Sequence, residues 1–279
     1  MKSFEMESGG LRDHEVGPSS GGSTAETLIL AREWFYEFPL PSGQTTRSYL
    51  PEFARSIHTS RESMLFEFLT PSVQNRWAEL SCLDLACHEG YFAVKLAQHG
   101  CRNVIGVDVR REHLEHAALI QQVYKLENLK FVEGDIENLD SALGVFDIVL
   151  VFGILYHVRD LIATLRNVRA MTNGVCLIET QVAPELDGSL EWGAREWTRD
   201  IRGCLALVDE TEDRGKGSPE SGMTSVSLVP SLKGLLFLLG HAGFEKVEIL
   251  HPGPSAHEQH LRGQRVMVAA YTGKSGPGR

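Results

Sequence analysis

Short apolar runs alternate with segments in which apolar residues recur every three or four positions, and this texture begins at Ser81. The runs Cys82–Ala86, Val104–Asp108, Leu129–Val132, Phe146–Phe152 and Val175–Glu179 predict buried strands. Between them, Tyr91–His99 (closed by Gly100), Arg111–Leu126 and Leu161–Met171 predict helices, the last with Leu161, Leu165 and Val168 on one face. Strand and helix alternating in this way predict an α/β domain, an open and mostly parallel sheet covered on both faces. A helix over 230–241 opens with Pro230 and aligns Leu232, Leu235, Leu236 and Leu239. Glu245–Leu250 and Arg265–Tyr271 follow as strands joined too briefly for a crossover helix, so they predict an antiparallel pair.

The flanks read differently. Residues 1–24 are rich in Gly and Ser without an apolar period and predict a flexible tail, as does the segment 273–279. Residues 25–80 predict an N-terminal helical cap. It holds a short amphipathic helix with Leu28, Ile29, Trp34, Phe35 and Phe38, then a helix or pair from Pro51 to Leu80. The main domain spans 81–272, interrupted by a weakly periodic insertion at 181–229, a length more typical of a lid than of an idle loop. Within the insertion, Trp192, Arg195, Trp197 and Arg199 predict a substrate wall, and they equally fit a solvated amphipathic helix. An acidic, glycine-bearing run follows from Asp209 to Gly222.

Charge narrows the partners. With 27 Lys and Arg against 37 Asp and Glu, the net charge of −10 argues against nucleic-acid binding by bulk charge. The five cysteines are scattered without a CxxC pair, which disfavours disulfides and a structural zinc and suits a reducing compartment. Leu232–Leu239, the longest greasy stretch, is too short for a membrane span, and no secretory pattern opens the chain. The expectation is a cytoplasmic protein of unstated oligomeric order, a homodimer included, with no metal.

The chemistry gathers at strand ends. In Asp84-Leu85-Ala86-Cys87-His88-Glu89-Gly90 a strand carrying an acid turns tightly into a helix, without the G-x-G-x-x-G fingerprint and without a Walker lysine. Acids recur at Asp108, placed to accept ribose hydroxyls, and at Asp135, placed to read an adenine amino group with Ile136 packed on the ring. Each alone fits a turn or a helix cap. Three together describe an adenosine with an amino-acid tail and no phosphates.

These motifs resemble the class I S-adenosylmethionine-dependent methyltransferases, with Ala86 and His88 where the family pattern has glycines. The run Phe146 to His157 resembles the fourth-strand motif. The resemblance implies a Rossmann-like, seven-stranded sheet with its last pair antiparallel. It also implies S-adenosyl-L-methionine bound by Asp84, Ala86, Cys87, Gly90, Tyr91, Phe92, Asp108, Val109, Asp135, Ile136, Phe152 and Gly153. Leu155-Tyr156-His157, Leu177-Ile178-Glu179-Thr180 and Val229-Pro230-Ser231 are similar to wobble-uridine carboxymethyltransferase-like proteins and their small-molecule methyltransferase relatives. Trp34 to Phe38 looks like the segment that covers the cofactor in that group.

The expected activity is methyl transfer to an oxygen or nitrogen of a small molecule. Trp34, Tyr91, Phe92 and Tyr156 are candidates to face the sulfonium, although Phe92 on the first helix fits core packing better. His157 fits a general base or an architectural hydrogen bond, and Glu179 fits a base, an acceptor-orienting group or a backbone cap. The alternatives are carboxymethyl or methyl transfer to tRNA, with Arg61 or Arg199 meeting the donor's carboxylate, and a cofactor-binding protein without catalysis.

Overall fold

The structure, a computed structural model, describes residues 24–212 and 224–273. The expected tails, apart from Thr24 and Gly273, and most of the acidic run lie outside the described residues.

The cap opens with α1 (Thr24–Leu30), shorter than the pattern predicts, and then turns extended. The bulky run Trp34 to Phe38 favours extended backbone. It is held there by a two-residue parallel pairing of β1 (Glu33–Trp34) with β2 (Arg47–Ser48), and by Phe38 N–H donating to Thr46 Oγ1 at 2.7 Å. Helix α2 (Glu52–Val73) follows Pro51 and stops where Gln74 and Asn75 turn left-handed.

The main domain then alternates as its periodicity predicts. Its elements are β3 (Ser81–Leu85), α3 (Tyr91–Gln98), β4 (Asn103–Asp108), α4 (Arg111–Tyr124), β5 (Leu129–Glu133), β6 (Phe146–Phe152), α5 (Leu161–Met171) and β7 (Thr172–Gln181). The insertion is built from hairpins: β8 (Ser189–Glu191) pairs antiparallel with β9 (Thr198–Asp200), and β10 (Leu205–Asp209) with β11 (Val226–Pro230). The amphipathic-helix reading of Trp192–Arg199 is therefore corrected, since Gly188 and Gly193 take positive φ and the chain folds back between them and β9. Pro230 does not open the next helix. It ends β11, and Ser231 caps α6 (Leu232–Ala242) by accepting from Gly234 N–H. The chain closes with β12 (Lys246–Leu250), the one-turn α7 (Glu258–Leu261) and β13 (Arg265–Tyr271).

Seven strands form one sheet in the order β12-β13-β7-β6-β3-β4-β5. Both neighbours of β13 run antiparallel to it, so β13 alone is reversed. Strand alternation divides the core. Cys82, Ile148, Leu150 and Leu177 face the cap and α3, while Leu83, Val149, Val151 and Ile178 face α5 and α6.

By the same alternation Glu179 falls on the cap face, fully enclosed. It binds Arg61 of α2 (Oε2 to Nη2, 2.7 Å), Arg265 of β13 (Oε1 to Nη1, 3.2 Å) and His260 of α7 (Oε1 to Nε2, 3.1 Å). Burial pushes its carboxyl up, but the two guanidiniums and His260 outweigh this and hold it well below the usual range. Glu179→Gln leaves two guanidiniums without their counter-charge. It should cost about 3–5 kcal/mol, read as a lowered urea midpoint with unchanged slope.

Candidate active site

Parallel strands end along one edge, and the loops after β3, β4, β5 and β6 meet there. A cavity of about 260 Å³ opens between these loops and the cap. Its walls carry Ala86 and His88, then Asp108, Val109 and Arg110, then Gly134, Asp135 and Ile136, then Phe152, Gly153, Tyr156 and His157. The cap adds Phe35, Tyr36, Ile57 and Arg61, and β13 adds Arg265.

The first loop turns through three left-handed residues, Ala86 (φ 56°), His88 (φ 54°) and Gly90 (φ 77°). For residues other than glycine this costs about 1–2 kcal/mol each. The loop persists because Cys87 N–H donates to Val107 O (2.9 Å), His88 N–H to Asp108 Oδ2 (2.8 Å) and Gly90 N–H to Cys87 O (2.8 Å). Gly90 is required, since a Cβ there would lie 2.5 Å from the Phe131 ring.

Asp108 accepts from His88 N–H and, at 2.9 Å, from Arg110 N–H, with His113 Nδ1 at 3.3 Å. Burial pushes its carboxyl up, and these partners more than compensate, so it stays ionised below the ordinary range. Asp135 caps its own turn by accepting from Glu137 N–H at 2.9 Å, beside Ile136. Asp84 lies behind the loop, off the wall, and accepts from Ala93 N–H at 3.1 Å. Burial pushes its carboxyl up to about 8. Cys87, Gly90, Tyr91 and Phe92 also stand behind the wall, and Phe92 meets Phe152 edge-on in the core.

Trp34 is wholly buried, its Nε1–H donating to Ile29 O at 2.9 Å, so the cap faces the cavity with Phe35 and Tyr36 instead. The N–H groups of these two donate to Glu89 Oε2, at 2.9 and 3.2 Å, tying the cap to the first loop. At the far end Tyr156 accepts from Arg265 Nη2–H at 3.2 Å, with that guanidinium also over its ring.

His157 Nδ1 lies 3.1 Å from Glu210 Oε2, and Ser227 Oγ donates to the other oxygen of Glu210. A carboxylate only accepts, so Nδ1 carries the proton and Nε2 is the basic nitrogen. Burial lowers the pKa of His157 despite the opposing pull of Glu210. Neutral imidazole therefore prevails at neutral pH.

Glu179 sits beneath this wall in its ion cluster, touching neither a backbone cap position nor the cavity. Trp192 and Trp197 are 62% and 66% exposed on the β8–β9 hairpin, and with Arg195 and Arg199 they lie outside the cavity walls. The insertion reaches the site through Glu210 and Ser227 instead. Sequence reasoning missed His88, Glu89, Arg265 and Glu210. An acid inside the glycine loop was a signal for Glu89, whereas no local pattern marks Glu210.

A family model described as a methyltransferase domain matches residues 78–217, half of the chain. A tRNA U34 carboxymethyltransferase of Trichodesmium erythraeum is 31% identical over 115 residues, 40% of this chain and 34% of that protein. Its counterpart in Campylobacter jejuni is 24% identical over 197 residues, 70% of this chain and 59% of that protein. The chain thus spans between about a third and three fifths of the length of these relatives. Among solved structures, the N-terminal domain of EvdMO1 with SAH and D-fucose has a TM-score of 0.62 at 22% identity, covering 88% of this chain and 93% of that one. Magnesium protoporphyrin IX methyltransferase from Synechocystis with bound SAH has a TM-score of 0.53 at 15% identity, covering 80% and 89%. Both share the fold.

His58 packs at a tilt against both Phe35 and Tyr36, and burial, then the charge of Arg61, push its pKa down to about 3. A histidine held neutral stabilises the fold above its unfolded pKa of 6.5, and that stability is lost as pH falls from 6.5 toward 3. At 1.36 kcal/mol per pH unit, His58 alone should remove about 2 kcal/mol between pH 6.5 and 5. Urea unfolding at several pH values should show this slope, reduced in His58→Phe; an equally steep variant would assign the loss to other groups.

Proposed function

The chain belongs to the methyltransferase-domain family, and from that premise we propose that it transfers a methyl group from S-adenosylmethionine to an oxygen or nitrogen of a small-molecule acceptor. The observation that carries this reading is His157 on the cavity wall, a neutral imidazole whose Nδ1 is held by the carboxylate of Glu210 behind it.

The donor set suits an S-adenosyl group. Asp108 and Asp135 at the strand ends are acceptors for hydroxyl and amino groups and would repel a phosphate. Ile136 offers an apolar face to a purine. In this reading Asp108 holds the ribose, Asp135 and Ile136 the adenine, and the loop from Asp84 to Gly90 the amino-acid tail. When bound, the donor supplies an electrophilic methyl on a cationic sulfur. The chain's own work is alignment and exclusion of water, with Phe35, Tyr36 and Ile57 of the cap over the cavity. His157 Nε2 takes the acceptor's proton as the acceptor attacks, and the proton on Nδ1 stays shared with Glu210.

A second reading, carboxymethyl transfer to tRNA, is favoured by one observation. Arg61 and Arg265 both line the cavity beside Tyr156, two guanidiniums against the single carboxylate of Glu179. The chain's net charge of −10 weighs against a tRNA acceptor. No helix among the described residues is long and apolar enough to cross a membrane.

Calorimetric titration with S-adenosylmethionine, S-adenosylhomocysteine and carboxy-S-adenosylmethionine separates the readings. The first two should bind more tightly than the third, and Asp108→Ala should weaken them by about tenfold or more. Preference for the carboxylated donor would favour the second reading. Binding without turnover on any acceptor would leave a cofactor-binding protein. On an acceptor found by screening for S-adenosylhomocysteine release, His157→Ala should lower kcat by about 10²–10⁴. Glu210→Gln should also lower kcat and move the acid limb of the pH profile to lower pH, because the anion that raises the pKa of His157 is gone. Full turnover in His157→Ala would reduce His157 to architecture.

A further inference from the structure

His88 belongs to the loop assigned above to the donor's amino-acid tail, but its imidazole, on the cavity wall, has been given no role of its own. It occupies a loop position with φ of 54°, a conformation suited to glycine, yet carries an imidazole. Its ring lines the cavity, stacks on His113 with centroids 3.7 Å apart and lies 4.7 Å from the ring of Phe35. Both ring nitrogens are buried and have no hydrogen-bond partner. Its backbone N–H donates to Asp108 Oδ2, which holds the residue next to that carboxylate. A left-handed backbone and two unsatisfied buried nitrogens are both unfavourable for folding, and binding a polar group in the cavity would relieve the second.

We propose that His88 is a ligand of the donor's ribose, sharing its two hydroxyls with Asp108. The inference rests on the S-adenosyl reading of the cavity. The chemistry of the pair selects the group. Asp108 is ionised and can only accept, whereas a neutral imidazole offers one donor and one acceptor. Vicinal hydroxyls, each able to donate and accept, satisfy both partners at once. A carboxylate beside Asp108 would be repelled, and an ammonium would leave the imidazole N–H unpaired. Burial and the neighbouring His113 hold the His88 pKa well below its ordinary value, so the ring remains neutral at working pH.

The test is calorimetry on the full chain with S-adenosylhomocysteine and its 2′,3′-dideoxyribose analogue, for wild type, His88→Gly and His88→Asn. Glycine takes the left-handed backbone freely, so His88→Gly should melt at or above the wild-type temperature. It should bind S-adenosylhomocysteine about tenfold more weakly, with part of the loss restored by His88→Asn. The dideoxy analogue should not distinguish wild type from His88→Gly. Unchanged or tighter binding of S-adenosylhomocysteine by His88→Gly would overturn the assignment, as would an equal loss for the dideoxy analogue. If wild type itself binds no S-adenosyl compound, the donor reading falls and this inference falls with it; wild-type binding with an indifferent His88→Gly removes this inference alone.

Discussion

A single enclosed carboxylate, Glu179, holds three separate pieces of the chain to the sheet. Arg61 arrives from the cap, Arg265 from the reversed strand and His260 from the one-turn helix before it, and all three converge on two oxygens. Charges this deeply enclosed survive only when paired and hydrogen-bonded. The cap therefore docks in one position, and the wall bearing Arg61, Arg265 and Tyr156 is fixed by the same ions. Gly153 belongs to this arrangement, because a Cβ there would stand 2.9 Å from Arg61 Nη2. Packing of the cap and geometry of the cavity are thus one electrostatic problem.

A second tie runs through Glu89. Its carboxylate receives the N–H groups of Phe35 and Tyr36, so an acid inside the first loop seats the aromatic segment over the cavity. The loop's strained backbone at Ala86 and His88 is held by Val107, Asp108 and Cys87. Residues other than glycine hold this left-handed backbone at a cost in stability, which these hydrogen bonds offset.

Most of the sheet was readable from local pattern, because a buried parallel strand shows as a short apolar run wherever it lies. The strand Phe146–Phe152 and the helix Leu161–Met171 have the limits their periodicity predicts. The strand-end acids were readable for the same reason, since a strand's end fixes where its next residue sits, and Asp108 and Asp135 line the cavity. Partners far apart in sequence were not readable. Arg61 and Glu179 stand 118 positions apart, and His157 and Glu210 are 53 apart. Nothing in a local window announces such a pair. Trp34 misled for a related reason: three neighbouring aromatics compete for the cavity, and tertiary packing chose Phe35 and Tyr36. The insertion misled because charged and aromatic residues at mixed spacing fit a hairpin as well as a helix face.

The four tryptophans divide evenly between two regions. Trp34 and Trp77 are buried in and beside the cap, and Trp192 and Trp197 stand in water on the β8–β9 hairpin. Indole emission shifts with the polarity around the ring, so the chain carries two spectrally separate populations without any label. A small aqueous quencher reaches the hairpin pair in the native protein and the cap pair only after the cap lifts. One emission spectrum thereby follows the insertion and the cap independently.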